Sequence, residues 1–215
     1  MKMDLGAKIT FIDGQLATLN LVPGSSVYGE RLLGDYRSWS PRRSKLASAL
    51  LKGLKLPLSA DSSVLYLGAS TGTTASHLSD ILSDGILYLV EFAKKPMEKL
   101  VSLCEARYNM IPIFEDANHP ERYLGIVGEV DLIYQDISQP NQVEILIKNA
   151  DHLLKKSGWV IIAIKARSID LARSSEDIFR SELEKFSMRF EIEETFDLSP
   201  GYRDHLMVVG KLSSN

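Results

Sequence analysis

Val64-Leu65-Tyr66-Leu67-Gly68-Ala69-Ser70-Thr71-Gly72-Thr73-Thr74 joins a short β-rich apolar run to a glycine-rich turn that opens, by Ala75, into helical periodicity. A strand feeding such a turn is the start of a β-α unit. The turn lets a ligand approach the backbone, and the helix N-terminus aims N–H groups at negative charge. The next β-rich run, Ile86 to Glu91, closes on an acid 23 positions beyond Gly68, near the spacing at which a carboxylate grips a ribose diol. The pair points to a nucleoside. It does not point to a dinucleotide, because Gly68-x-x-x-Gly72 lacks the middle glycine that seats a pyrophosphate.

Outward from this unit the alternation continues. Ile111 to Phe114, Asp131 to Gln135 and Trp159 to Lys165 are strand candidates, and Val143, Leu146, Ile147, Ala150, Leu153 and Leu154 recur at helical spacing between the last two. Such alternation predicts an α/β fold, a mostly parallel sheet covered by helices on both faces. Ser175 to Phe186 is a further helix. Phe190 to Leu198 and Leu206 to Lys211, joined through Ser199-Pro200-Gly201-Tyr202, can close as a hairpin. That pair adds one antiparallel strand and brings the sheet to seven. Upstream, Ile9, Phe11, Leu16, Leu19 and Leu21 flank Asp13-Gly14, a hairpin signal because the primed turn needs positive φ at both central positions. Val22 to Trp39 is rich in Gly, Ser and Tyr and predicts short strands and loops. Ser40 as cap and Pro41 at the first helical position predict a helix over Arg42 to Leu51, ended by Gly53. The chain therefore divides into a small β-rich N-terminal domain, residues 1–39, and an α/β domain, residues 40–215.

The whole chain of 215 residues, with 45% hydrophobic and 25% charged residues, suits one compact domain with a small appendage. Cys104 is the only cysteine, which excludes an intrachain disulfide or a cysteine zinc cluster and is read as a core thiol. No apolar run approaches the roughly 20 residues of a membrane helix, and Met1 to Lys8 carry no signal-peptide pattern. A net charge of -3 gives no general attraction to phosphate backbones, so an RNA partner requires a local patch. Arg37, Arg42, Arg43, Lys45, Arg167 and Arg173 are the candidates for it.

In an open α/β sheet, ligands bind beyond the carboxyl ends of the strands. After the third strand, Asp116-Ala117 places an acid where an adenine amine can donate. After the fourth comes Asp136-Ile137-Ser138-Gln139-Pro140, and after the fifth Lys165. Asp136 and Lys165 face one crevice, as an acid/base pair or as an edge salt bridge.

With these residues in view, the chain resembles the fibrillarin family, the RNA 2′-O-methyltransferases of box C/D ribonucleoproteins. The resemblance rests on Val22-Pro23-Gly24-Ser25-Ser26-Val27-Tyr28-Gly29-Glu30, Tyr36-Arg37-Ser38-Trp39, Arg43-Ser44-Lys45-Leu46-Ala47, the Gly68 turn and Val90-Glu91-Phe92. It continues through Glu115-Asp116-Ala117, His119-Pro120, Asp136 to Pro140, Ile164-Lys165-Ala166-Arg167-Ser168-Ile169-Asp170 and Arg203-Asp204-His205. It departs at Ser70-Thr71, where relatives have Ala-Ser, and at Gly201-Tyr202, where they have Tyr-Glu.

The resemblance implies a Rossmann-like methyltransferase fold over residues 40–215, with S-adenosylmethionine as methyl donor. The implied cofactor contacts are Gly68, Ala69, Thr73, Thr74, Glu91, Phe92, Asp116, Ala117, Asp136, Ile137, Ser138 and Gln139. The implied catalytic set is Lys45, Asp136, Lys165 and His205, with the general base left open between Asp136 and a neutral Lys165. The implied partners are a box C/D guide RNA, target rRNA or tRNA, a Nop-domain scaffold protein and a kink-turn-binding ribosomal-protein homologue. The missing glycine- and arginine-rich tail suggests the archaeal type and a cytoplasmic site. A small-molecule methyltransferase and a non-catalytic cofactor-binding subunit are the competing classes.

Overall fold

The computed structural model describes residues 8–213. Most of the segment searched for a signal peptide, residues 1–7, lies outside them. Two sheets form. In the small one, β1 (Ile9–Ile12) and β2 (Gln15–Leu19) make a hairpin whose turn residues have φ of +50° at Asp13 and +72° at Gly14, as the Asp-Gly signal requires. β3 (Leu32–Leu33) and β4 (Tyr36–Ser38) complete the antiparallel order β1-β2-β4-β3.

The helix predicted from Arg42 starts three residues later: α1 spans Lys45–Leu51. Ser40 and Pro41 lie in a turn closed by the Arg43 N–H on the Ser40 carbonyl. The cap is Ser44, whose Oγ accepts the Ala47 N–H at 3.2 Å and a hydrogen bond from Thr74 at 2.9 Å. A tertiary anchor thus outcompetes the local Ser-Pro signal, and it fixes where Lys45 points.

The large sheet follows: β5 (Ser63–Leu67), α2 (Thr73–Ile81), β6 (Ile86–Val90), α3 (Lys94–Cys104), β7 (Met110–Ile113), β8 (Val130–Gln135), α4 (Gln142–Leu153) and β9 (Leu154–Lys165). Then come α5 (Ala166–Ile169), α6 (Ser175–Ser187), β10 (Phe190–Asp197) and β11 (His205–Leu212). Strand order is β10-β11-β9-β8-β5-β6-β7, with β11 antiparallel to both neighbours and β5 to β9 parallel. The predicted seven-stranded sheet and its one antiparallel strand are both present. α2 starts at Thr73 rather than Ala75, because Gly72 at φ +90° serves as its N-cap.

Burial explains the uninterrupted apolar strands. Tyr66 packs with Leu78, Leu87 and Ala163 on one face of the sheet, while Leu65 and Leu67 pack with Ile133, Val143 and Ile162 on the other. With both faces covered, period-2 alternation puts each side chain of a strand in a core. Cys104 is half-buried against the first cluster, and burial pushes its thiol up to about 11. Among the described residues no helix is long and apolar enough to cross a membrane.

The small sheet docks on α2 through buried ions. Arg37, expected on a phosphate-tracking surface, is instead fully buried, pairing with Glu30 and Asp80 at 2.6 Å each. Arg42, Arg43, Arg167 and Arg173 are exposed.

Candidate active site

The direction of winding reverses between β5 and β8, and a crevice of about 400 Å³ opens beyond their carboxyl ends. That volume is ordinary for a small-molecule site, roughly 300–1,000 Å³. Gly68 makes the crevice possible. At φ +84° it sits so close to the β8 loop that a Cβ would lie 2.8 Å from the Asp136 carbonyl oxygen and 2.9 Å from Ile137 Cγ2. Any larger residue would push the two loops apart.

Most of the residues expected to hold a cofactor line this crevice. Gly68, Ala69, Thr73 and Thr74 come from the turn after β5, and Glu91 and Phe92 from the end of β6. Ala117, Asp136, Ile137, Ser138 and Gln139 come from the loops after β7 and β8. Glu91 is buried; its Oε2 accepts the Ser70 N–H at 2.9 Å and its Oε1 the Ala93 N–H at 2.8 Å, which fixes both oxygens at the mouth of the glycine turn. Phe92, 61% exposed, offers an open ring face beside it.

Asp116 is not on the wall. Its Oδ1 accepts from the Asn118 N–H at 2.9 Å, Asn118 Nδ2 at 3.0 Å and Gln139 Nε2 at 3.4 Å, so it braces the loop, and Glu115 lines the crevice in its place. Burial pushes the Asp116 carboxyl up, but these hydrogen bonds outweigh it and the net shift is down.

At the inner end, one carboxylate serves two lysines. Asp136 Oδ1 lies 2.7 Å from Lys165 Nζ and 3.1 Å from Lys45 Nζ, and Oδ2 accepts from Lys45 at 3.2 Å. Lys165 donates to the Asp136 carbonyl and to Ser138 Oγ, both at 3.0 Å, and its contact with Asp136 Oδ1 is an ion pair. Burial pulls the Lys165 pKa down; Asp136 opposes this, the Lys45 charge adds to it, and the net shift is below the ordinary 10.5. The structure brings Asp136 and Lys165 into ion-pair contact, the arrangement that the salt-bridge reading requires and from which the acid/base reading starts.

His205 starts β11 in register with Lys165, on the same sheet face, without lining the crevice. Its Nδ1 donates to the Arg203 carbonyl at 2.6 Å, which leaves Nε2 as an acceptor. Burial lowers its pKa, the hydrogen bond to the Arg203 carbonyl opposes this, and the Lys45 and Lys165 charges add to the lowering, so the net shift is down.

One buried residue here has no sequence signal. Gln142, the first residue of α4, accepts the Lys165 N–H on Oε1 at 2.9 Å and donates from Nε2 to the Lys165 carbonyl at 3.2 Å. The side-chain amide fills the place of a strand neighbour at the end of β9. In sequence it is an ordinary polar residue at a helix start.

The arrangement suits a nucleoside: an anchored carboxylate, an open aromatic face, a small apolar slot at Ala117 and Ile137, and a labile proton site deeper in. Comparison with known proteins agrees. The fibrillarin-like rRNA/tRNA 2′-O-methyltransferase of Methanosarcina acetivorans is 52% identical over 206 residues, 92% of this chain and 91% of that protein. The chain superposes on the crystal structure of a fibrillarin/Nop5p complex with a TM-score of 0.93 at 46% identity, covering 96% of this chain and 98% of that one. It matches Aeropyrum pernix fibrillarin, solved with natively bound S-adenosyl-L-methionine, with a TM-score of 0.84 at 44% identity over 91% of this chain and 88% of that one. A family model described as Fibrillarin matches residues 7–214, and the chain belongs to the fibrillarin family.

Proposed function

We propose that this chain transfers the methyl group of S-adenosylmethionine to the ribose 2′-hydroxyl of rRNA and tRNA, as the catalytic subunit of a box C/D guide ribonucleoprotein in the cytoplasm. One observation carries the reading: Lys165 and Lys45 share the Asp136 carboxylate at the inner end of a crevice whose outer half is built for a nucleoside.

The residues fit the cofactor. Glu91 has lone pairs left on both anchored oxygens for a ribose diol, Phe92 offers a face for adenine, and the Ala117–Ile137 slot excludes water from the base. When bound, S-adenosylmethionine supplies an already activated methyl group on a sulfonium. The protein's share is then mainly positioning of the ribose hydroxyl, together with removal of its proton.

Lys165 is the base. Burial lowers its pKa against the opposing pull of Asp136, and loss of one of its three N–H protons to solvent frees a lone pair that takes the ribose hydroxyl proton. Asp136 fixes that nitrogen and balances the charge formed on it. Lys45, on the open side of Asp136, orients the ribose and steadies developing oxyanion character. His205 borders the same strand end, in register with Lys165.

Target choice is assigned to base pairing with a guide RNA. The exposed Arg42, Arg43, Arg167 and Arg173 track phosphates locally on a chain that is acidic overall. The Nop5p complex of the structural relative supports a Nop-domain scaffold as partner, and a kink-turn-binding ribosomal-protein homologue is proposed as the third protein.

The test is labelled S-adenosylmethionine with target RNA, guide and partner proteins, scored for methyl on ribose. Lys165→Ala and Asp136→Ala each abolish transfer, Lys165→Ala with cofactor affinity largely kept. Full activity in either variant overturns the assignment. Methyl transfer to a small molecule, or to no acceptor at all, would favour the two competing classes. The isolated chain is expected to methylate RNA poorly.

A further inference from the structure

The β10–β11 loop brings an aromatic ring to the open side of the lysine pair. Lys45 Nζ lies 5.0 Å from the centroid of the Tyr202 ring, and the same ring is 5.9 Å from that of His205. Tyr202 is not loose. Its N–H donates to the Leu198 carbonyl at 3.0 Å, and its ring packs against the core cluster that holds Leu198 and Met207.

The charges explain why a ring suits this place. Two ammonium groups share the single carboxylate of Asp136, so the group carries one surplus positive charge. An aromatic face attracts a cation through its quadrupole and adds no formal charge. It restrains Lys45 while leaving Lys165 free to lose a proton. Burial and the Asp136 charge push the phenol up to about 12, so the residue adds no negative charge beside the lysines at neutral pH.

We propose that Tyr202 is the positioning residue of Lys45: its ring face, not its hydroxyl, seats the Lys45 ammonium against Asp136 in the geometry that orients the ribose. The inference rests on the methyl-transfer reading above for its role, but not for the contact itself.

The test compares wild type, Tyr202→Phe, Tyr202→Met, Lys45→Met and the double variant Lys45→Met/Tyr202→Met in the assembled particle, with guide, target RNA and labelled S-adenosylmethionine. Tyr202→Met is expected to lower kcat about 2- to 10-fold, the size of a partly exposed cation–π contact. The KM for S-adenosylmethionine should not move, and Tyr202→Phe, which keeps the ring, restores kcat. In the Lys45→Met background, Tyr202→Met should cost nothing further. An equal cost in both backgrounds, or a Phe variant as slow as the Met variant, overturns the proposal.

A second measurement does not depend on the reaction. In the full-length chain, the Lys45 ε-methylene protons should show an upfield ring-current shift by NMR, kept in Tyr202→Phe and lost in Tyr202→Met. Unshifted protons in wild type overturn the proposal even if methyl transfer is robust. Shifted protons in a wild-type particle that transfers no methyl group would sink the reaction reading and leave the contact standing.

Discussion

Asp80 and Asp136 each hold two cations, and the two clusters are put to opposite uses. Asp80, in α2, accepts from Arg37 Nε at 2.6 Å and Thr18 Oγ1 at 2.7 Å on one oxygen, and from Arg107 at 2.8 Å and the Leu21 N–H at 3.0 Å on the other. Its side chain is wholly inaccessible. Asp136 has two lysines, and its side chain keeps 12% of its accessibility. Guanidinium does not give up a proton in a protein and offers a planar fork of donors, whereas an ammonium is a compact charge whose pKa yields to burial. Glu30 balances the charge of the first cluster, whereas the second keeps one surplus positive charge. The choice of cation and the access to solvent turn one cluster into a joint between sheets and the other into a site for chemistry.

The sharpest way to break this comparison is to exchange the cations. Lys165→Arg keeps the charge beside Asp136 and removes the labile proton, so methyl transfer should fall about 10²- to 10⁴-fold, the usual contribution of a positioned base. The rate of the wild-type enzyme should rise with pH through the folded pKa of Lys165, below the ordinary 10.5, because the neutral amine is the active form. An Arg variant with wild-type rate, or a rate that falls as pH rises toward that value, would refute the assignment of Lys165 as base.

Removing the structural anion should cost stability instead. Asp80→Ala leaves Arg37 and Arg107 buried with their main counter-charge gone, which costs about 3–5 kcal/mol in comparable clusters. For a chain of this size that lowers Tm by roughly 6–20 °C. Thermal unfolding by circular dichroism decides it. A shift under a few degrees would mean that water or Glu30 replaces the carboxylate. Arg37→Lys is the gentler probe: one ammonium cannot reproduce the fork that spans Glu30 and Asp80, so a loss of about 1–3 kcal/mol is expected, read in urea. Methyl transfer below the unfolding range should stay near wild type.

The two clusters also differ in how far the sequence discloses them. Asp136 and Lys165 stand directly after β-rich runs, and topology alone sends such residues to the crevice, so their pairing was readable without coordinates. The strands were readable for the same reason, since their apolar runs must fill two cores. Nothing comparable marks Asp80, which lies inside a helix and meets Arg37 from 43 residues away and Arg107 from 27. The consequence was that Arg37 was read as surface charge. Ser44 displaced Ser40 as cap for a related reason: the partner that decides between them, Thr74, is 30 residues distant. Asp116 follows a strand as the sequence indicates, but nothing in the sequence shows that its Oδ1 is held by Asn118 and by Gln139 of the loop after β8. Gln142 gave no signal at all, because a side chain that substitutes for a strand looks like any helix-start glutamine.

The smallest effect tests the joint through its one titratable ring. His77 stacks on Trp39 with centroids 4.7 Å apart and is closed in by Tyr28 and Thr18. Thr18 Oγ1 spends its proton on Asp80 Oδ2, so it must accept from His77 Nδ1–H; Nε2 lies 2.7 Å from the Tyr28 hydroxyl, whose proton it shares with the Ser38 carbonyl at 3.2 Å. A neutral ring with the proton on Nδ1 is the form this geometry allows. Burial, together with Arg37 and Arg107, holds the His77 pKa well below its ordinary 6.5. The unfolded chain therefore binds a proton that the folded one refuses once pH drops below about 6.5. Stability should fall with acidification in that window by up to about 1.4 kcal/mol per pH unit. Neutral amides cannot titrate there, so His77→Gln should flatten the slope between pH 6.5 and 5, measured by urea unfolding of both proteins. Half-buried His205 adds to the same slope in both and cancels in the comparison. Equal slopes for the two proteins would mean that the joint opens to admit a charged ring, and the contrast between a sealed cluster and an accessible one would lose its sealed member.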